Sequence, residues 1–247
     1  MKVVILCAGY GKRLKPYTNV YQKTMIPVHG KPLLEYLING IKIAGYTELI
    51  IIVGYLKEQI IDYFNDGSNW GVSIEYLKQE VINGTGGAVL LCKDLIKNSH
   101  FVVTYGDILV SSEIYKKLRE IHERMNEDFI LVSNYLEKIQ KGCSLSIKNG
   151  YLIDMIEKPP TSSKVPKWNN CGIYLFHREI FDVLKQIKSS ERGEIELPDA
   201  ICKGIHERNW KIRVIKMEKS QFRGDFGDIK DYERLKKEKG WLREITE

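Results

Sequence analysis

Five short apolar runs punctuate the first half of the chain: Val3 to Cys7, Leu49 to Val53, Ser73 to Leu77, Phe101 to Tyr105 and Phe129 to Ser133. Each is rich in Val, Ile, Leu or aromatic residues and stops near a Gly, Asp or Asn, the pattern of a buried strand. Between the runs the apolar positions recur at helical spacing. Pro32 to Ala44 opens with Pro at an early helical position and is stopped by Gly45; Lys57 to Phe64 and Gly86 to Ile96 follow. Ser112 to Met125 places Ile114, Leu118, Ile121 and Met125 on one face. Strands alternating with helices predict a mostly parallel sheet covered on both sides.

After about residue 140 the rhythm changes. Ser144 to Ile147 and Tyr151 to Glu157 flank Asn149-Gly150, a hairpin signal. Pro159-Pro160-Thr161-Ser162-Ser163 reads as a loop, Cys171 to Phe176 as a strand, Arg178 to Ile187 as a helix, and Ile229 to Lys239 as a charged amphipathic helix. No repeat of fixed period occurs, and no hexapeptide array follows the α/β region.

The 247 residues suit one large α/β domain. No apolar run approaches the roughly 20 residues that span a bilayer. Met1 to Leu6 reads as a strand that begins at once rather than as a signal peptide. The five cysteines are widely spaced with no C-x-x-C pair, which argues against zinc and fits free thiols in a reducing cytoplasm. The net charge is +6, but Lys and Arg are spread along the chain, and no basic stripe with interleaved aromatics appears. That excess suits polyphosphate substrates better than nucleic acid. The histidines, His29, His100, His122, His177 and His206, are scattered and suggest no nucleophilic triad.

The first chemical signal is Leu6-Cys7-Ala8-Gly9-Tyr10-Gly11-Lys12-Arg13-Leu14, a strand running into a glycine-bearing loop with two adjacent cations. Glycines let backbone N–H groups approach phosphate oxygens, and Lys12 and Arg13 add charge-assisted hydrogen bonds. A P-loop is excluded by Leu6 and Arg13, and the dinucleotide fingerprint by Leu14. Taken alone, the loop fits a tight surface turn equally well. Gln22-Lys23-Thr24-Met25-Ile26-Pro27-Val28-His29-Gly30-Lys31-Pro32 follows closely. Together, Leu6 to Pro32 resembles the signature of the sugar-1-phosphate nucleotidyltransferase family: L-A-G-G-x-G-T-R-L, then P-K-x-M-x-P-V, then K-P. Cys7 and Ala8 depart from Ala and Gly, Lys12 from Thr, and Gln22 from Pro.

The resemblance implies that Leu6, Ala8, Gly9, Gly11, Lys12 and Arg13 hold a nucleoside triphosphate, and that Lys23 lies against the α-phosphate and the incoming sugar phosphate. Gln79-Glu80-Val81-Ile82-Asn83-Gly84-Thr85-Gly86-Gly87-Ala88 resembles the family's base-reading loop, with Gln79, Gly84 and Thr85 toward the base; a glycine-rich helix start without a ligand is the plain alternative. Phe101 to Tyr105 runs into Gly106-Asp107, where the family's magnesium Asp falls, at the sheet edge where ligands of open α/β sheets gather. Phe222 to Tyr232 resembles W-x-D-I-G-T-P-x-D-Y, so Asp225 is the second magnesium ligand, with Asp228 a nearby competitor. On the sugar side, Ile156-Glu157-Lys158-Pro159 matches E-K-P, Asn170-Cys171-Gly172-Ile173-Tyr174 resembles N-x-G-I-Y, and Arg192 to Asp199 resembles R-G-E-x-E-x-x-D. These imply sugar-phosphate contacts from Gly142, Glu157, Lys158, Asn170, Gly172 and Glu196; each alone could equally be a solvated surface group.

The family implies a three-layer αβα, Rossmann-like α/β fold with a mixed, mostly parallel sheet and a small β-hairpin sugar-binding part. Residues 1–110 would mainly bind nucleotide and 135–228 mainly sugar phosphate, with no carboxyl-terminal β-helix. Arg13, Lys23, Asp107 and Asp225 would be catalytic, with Mg2+ as cofactor and a nucleoside triphosphate and a sugar 1-phosphate as substrates. The expected enzyme is cytoplasmic, binds neither nucleic acid nor membrane, and can form homo-oligomers, as relatives do. A pyrimidine triphosphate with glucose 1-phosphate is favoured. A guanylyltransferase acting on mannose or heptose phosphate, and a non-catalytic nucleotide-sugar sensor, are the alternatives.

Overall fold

A computed structural model describes residues 1–97, 100–137, 139, 142–157, 159 and 165–246. Along the chain its elements are β1 (Val3–Cys7), β2 (Pro27–Val28), β3 (Lys31–Pro32), α1 (Leu33–Ile43), β4 (Glu48–Val53), α2 (Glu58–Phe64) and β5 (Ser73–Lys78). Then come α3 (Thr85–Leu90), β6 (His100–Tyr105), β7 (Ile108–Val110), α4 (Ser112–Met125), β8 (Phe129–Tyr135), β9 (Cys143–Lys148), β10 (Tyr151–Glu157) and β11 (Trp168–His177). The chain closes with α5 (Ile180–Leu184), α6 (Leu197–Arg208), β12 (Ile212–Lys216), β13 (Arg223–Asp225), α7 (Ile229–Lys237) and α8 (Trp241–Thr246). The result is an α/β fold with a mixed sheet. The chain forms two compact units. Met1–Ile82, Thr104–Lys116 and Gln221–Glu247 make the first; Asn83–Val103 and Lys117–Ser220 make the second.

In the first unit, β5, β4 and β1 lie side by side in parallel, in register from Val3↔Leu49 to Cys7↔Val53 and from Glu48↔Ser73 to Val53↔Lys78. Val3, Val4, Ile5, Ile50, Ile51 and Ile52 are fully buried. Their unbroken apolar runs follow from a strand covered on both faces, and each such side chain contributes about 1.5–3 kcal/mol of transfer free energy. β5 ends the strand order and shows exposed Ser73 and Glu75 around buried Ile74. The carboxyl-terminal helices pack back onto this unit. Trp241 stacks on Phe222 at 5.5 Å and donates its indole N–H to the Leu235 carbonyl at 2.9 Å. Tyr232 donates to the Pro27 carbonyl at 3.0 Å.

The second unit carries β6, β11, β8, β12, β10 and β9 in that order, with β8 and β12 parallel and β8–β11 and β9–β10 antiparallel. The Asn149-Gly150 turn takes positive φ at both residues (51° and 79°), the geometry that matches strand twist. The Arg213 guanidinium stacks 3.9 Å from the Tyr151 ring centre and meets the buried Glu127 carboxylate at 2.8 Å, tying the hairpin to β12.

Three expectations are corrected. The helix expected over Gly86 to Ile96 is α3, which ends at Leu90; the chain continues in turns, with Cys92 donating to Val89 and Leu95 to Cys92. The helix expected over Arg178 to Ile187 is regular only from Ile180 to Leu184, with three-residue turns at both ends. In α4, Ile114 and Leu118 are buried as the stripe predicts, but Met125 is 53% exposed. The spacing names the face of a helix; it does not say how far the neighbouring core reaches along it. The histidines are also less scattered than they look in sequence. The His100 ring lies 4.3 Å from His122 and 5.1 Å from His177, centre to centre, and His100 hydrogen-bonds the Asp128 carboxylate at 2.9 Å. Burial, then the neighbouring imidazoles, outweighs Asp128 and lowers the His100 pKa. Among the described residues the five cysteines are free, no cluster of three or more His, Cys, Asp or Glu is arranged to hold a metal, and no helix is long and apolar enough to cross a membrane.

Candidate active site

In the first unit, β1 ends at Cys7 and the chain turns through Ala8, Gly9 and Gly11. Gly11 takes left-handed backbone (φ 62°) and starts the short turn Lys12–Leu14, closed by Leu14 N–H to the Gly11 carbonyl at 2.8 Å. The Gly11 carbonyl also accepts from the Thr18 hydroxyl at 3.0 Å. Ala8 accepts from Tyr55 N–H at 3.1 Å, and Leu6 from Gly106 N–H at 3.0 Å. Lys12 and Arg13 are exposed; the Lys12 ammonium lies 5.6 Å from the Tyr10 ring centre. A methyl group on Gly106 would lie 2.5 Å from Cys7 Sγ and 3.0 Å from Leu6 O. Only glycine lets the chain pass that closely before it delivers Asp107.

The Lys23 ammonium forms an ion pair with Asp107; their side chains are 16% and 19% exposed. Burial alone would raise the Asp107 carboxyl, but the Lys23 charge and hydrogen bond, with backbone N–H and Arg223, hold it below the usual Asp range. β7 and β13 form an antiparallel ribbon in which Asp225 faces Ile108, and Phe226 N–H donates to the Asp107 carbonyl at 3.0 Å. The ribbon therefore brings the two aspartates to adjoining strand ends. Asp225 accepts from Arg223 at 3.1 Å. An ideal Cβ on Gly227 would lie 2.7 Å from Asp225 Oδ1 and 3.5 Å from an Arg13 guanidinium nitrogen, so acid and base flank one glycine. Asp228 instead accepts from Asp231 N–H at 3.1 Å and caps α7. Gln79 is buried at the end of β5, its N–H on the Val53 carbonyl at 2.8 Å.

In the second unit, the Asn83–Gly84 turn and the first turn of α3 pair with the chain at Ile195. Gly86 N–H donates to the Ile195 carbonyl at 2.8 Å, and Ile195 N–H to the Asn83 carbonyl at 2.7 Å. Gly84 has φ 95°, and a methyl there would lie 2.6 Å from the Ile195 carbonyl. The Thr85 hydroxyl accepts from Leu197 N–H at 3.0 Å. The glycine content of this loop thus has a packing cause. β11 bulges between Asn170 and Tyr174. There the Asn170 amide donates to the Tyr174 hydroxyl at 2.6 Å and accepts from Gly172 N–H at 3.1 Å. Buried Asn169 accepts from Cys143 N–H, just after Gly142, at 3.0 Å and donates to the Asn134 side chain at 3.0 Å.

Arg192 gathers carboxylates: Glu196 at 2.7 Å, Glu194 at 3.4 Å and Glu157 at 3.7 Å. Burial first, then the Glu194 and Glu157 carboxylates, pushes Glu196 up to about 7 against the pull of Arg192. Lys158 lies outside the described residues. Among the sequence-derived positions, Arg13, Lys23, Asp107 and Asp225 gather in one unit, and Glu157 with Glu196, and Gly142 with Asn170 and Gly172, in the other. Sequence reasoning passed over Arg223, Arg192 and Asn169. Arg223 stands two residues before Asp225 on one strand, a spacing that shares a face and could have found it.

Residues 2–240 match the family model described as nucleotidyl transferase. The bifunctional protein GlmU of Methanococcus maripaludis (strain S2) is 39% identical over 221 residues, covering 88% of this chain and 49% of that protein. The chain therefore spans about half the length of the curated relatives it matches. A Bacillus anthracis structure assigned as a glucose-1-phosphate thymidylyltransferase, solved with sucrose, superposes with a TM-score of 0.84 at 27% identity, covering 96% of this chain and 94% of that one. A UDP-glucose pyrophosphorylase solved with UDP-glucose superposes with a TM-score of 0.84 at 24% identity, covering 96% and 97%, and shares the fold. The amino-terminal turn, the lysine after it and the glycine-aspartate strand end thus sit in a match that runs almost from end to end, and the chain belongs to the nucleotidyl transferase family.

Proposed function

We propose that this protein transfers a nucleotidyl group from a nucleoside triphosphate, UTP or dTTP by preference, to a sugar 1-phosphate, with glucose 1-phosphate as the favoured acceptor. The observation that carries the reading is the Lys23–Asp107 pair, set in the unit that also holds the β1 turn, Arg13 and Asp225. An oxygen of the sugar phosphate attacks the α-phosphorus; the new P–O bond forms as the bond to the β-phosphate bridging oxygen breaks, and pyrophosphate leaves with the electron pair. The attacking oxygen is already anionic, so no general base is needed. The barrier is charge repulsion and misalignment, which fixed cations and backbone donors lower. The turn at Ala8, Gly9 and Gly11, with Leu6, Lys12 and Arg13, holds the triphosphate, and Lys23 holds the two reacting phosphates together.

The donor set fits a hard divalent cation: two carboxylates on adjoining strand ends, one held ionised by its neighbours. Asp107 and Asp225 would hold magnesium, which neutralises triphosphate charge when bound. Asp228 is occupied as a helix cap. Gln79, Gly84 and Thr85 read the base, and Gly142, Glu157, Asn170, Gly172 and Glu196 border the sugar. Residues 1–110 serve mainly the nucleotide and 135–228 mainly the sugar phosphate. The name of the Bacillus anthracis neighbour supports the pyrimidine preference.

Pyrophosphate release measured with ATP, CTP, GTP, UTP and dTTP against glucose, mannose and glucosamine 1-phosphates tests this. Release should be fastest for UTP or dTTP with glucose 1-phosphate. Fastest release with GTP and mannose 1-phosphate would replace the substrate assignment; no release with any pair, with nucleotide-sugar binding retained, would overturn the activity.

A further inference from the structure

We propose that Gln22 is a positioning residue: its side-chain amide fixes the Lys23 turn against the end of β1, and so sets where the Lys23 ammonium stands. The inference rests on the reading above, in which Lys23 serves the reacting phosphates. Gln22 is 1% exposed, and each of its side-chain polar atoms is used. Nε2 donates to the Cys7 carbonyl at 2.6 Å, the last carbonyl of β1 before the Ala8–Gly11 turn. Oε1 accepts from Thr24 N–H at 2.6 Å and from the Thr24 hydroxyl at 2.7 Å. The amide orientation is fixed by its partners, since a carbonyl can only accept and a backbone N–H can only donate. Gln22 also caps the turn Lys23–Met25 and receives Met25 N–H on its own carbonyl at 2.8 Å, while its N–H donates to the Gln59 side chain at 2.8 Å.

Lys23 thus leaves a turn held on one side by the strand that leads into the phosphate loop, and its ammonium is held at the other end by Asp107. The family pattern has proline at this position. Gln22 has φ −59°, a value proline also takes; what the glutamine side chain adds is a direct tie between the two phosphate-handling segments. A lysine stem is long and flexible, and a displacement of about 1 Å in a reacting geometry can lower turnover up to about a hundredfold.

Gln22→Met keeps the side-chain volume and removes the ties. Steady-state pyrophosphate release with the fastest substrate pair, in Gln22→Met, Lys23→Ala and the double variant, tests the idea. Gln22→Met is expected to lower kcat about tenfold with KM changed less than about threefold. In the Lys23→Ala background it should lower kcat no further, because a residue that acts through Lys23 has nothing left to position. An equal fold-loss in both backgrounds would reduce Gln22 to a structural residue, and wild-type kcat in Gln22→Met beside a crippled Lys23→Ala would remove its role while leaving that of Lys23. Wild-type kcat in Lys23→Ala would instead sink the underlying reading. Competition labelling of lysines with acetic anhydride reads the geometry without turnover: Gln22→Met should raise Lys23 labelling several-fold relative to Lys12 and Lys31, and an unchanged ratio overturns the proposal. If Gln22→Met does not fold, Thr24→Val, which removes only the hydroxyl tie, is expected to raise the same ratio, and an unchanged ratio again overturns it.

Discussion

Lys23→Ala separates what the Lys23–Asp107 pair does for stability from what it does for chemistry. Both side chains are less than one-fifth exposed, so removing the ammonium strands a mostly buried carboxylate, with Arg223 the other cation acting on it. Stranding one member of a fully buried pair costs about 3–5 kcal/mol; partial solvent access and Arg223 reduce this to about 2 kcal/mol. For a chain of this size that is a fall in Tm of roughly 4–8 °C. Turnover should fall about 10²- to 10³-fold, as when one preorganised charge-stabilising donor is lost. Adding Asp107→Asn removes the stranded charge, so the double variant should regain most of the lost Tm while turnover stays low. Calorimetry and pyrophosphate release on the two variants check this. The reasoning fails if the double variant is no more stable than Lys23→Ala, or if it recovers turnover. The pH dependence has a definite sign. The Asp107 carboxyl is depressed below its ordinary value of 3.8, so its contribution is complete above that pH and is lost as pH falls through the depressed value. Lys23→Ala should weaken that acid loss.

Glu196 has the opposite sign. Its carboxyl is raised from 4.5 to about 7, so wild-type stability should decline between those values, as the unfolded chain ionises first; Glu196→Gln should raise Tm at pH 8 and change it little at pH 4.5, read by thermal melts across pH. Gly84→Ala combines left-handed strain with a clash against the Ile195 carbonyl, and should cost more than about 2 kcal/mol in denaturant unfolding; a loss under 1 kcal/mol would contradict the close pairing of that loop with Ile195.

The local chemistry was legible in the chain itself. Apolar runs such as Val3–Cys7 and Glu48–Val53 announce buried strands because their neighbours along the sequence share one environment. The Gly9–Arg13 turn and Lys23 lie close in sequence, so a linear motif can hold them together. Asn149-Gly150 names its turn because few other residue pairs accept positive φ twice running. Helix ends were less legible: α3 stops at Leu90 although Cys92 and Ile96 beyond it are buried, and α5 keeps only five residues, so apolar spacing marks a packed segment without fixing where its regular hydrogen bonding ends.

Tertiary structure alone decided the pairings between distant segments. β7 and β13 are three residues each, too short to show any periodicity; the family resemblance pairs Asp107 with Asp225, but how the two strand ends adjoin, and that Asp228 caps α7, is seen only in the folded ribbon. The links from Gln22 to Cys7, the approach of Glu157 to Arg192, and the contact of three histidines from separate elements belong to the same class. Composition and spacing record what a residue is and which local face it takes. Which remote group it meets is set by how the buried surfaces of whole elements fit together, and that information exists only once the chain has folded.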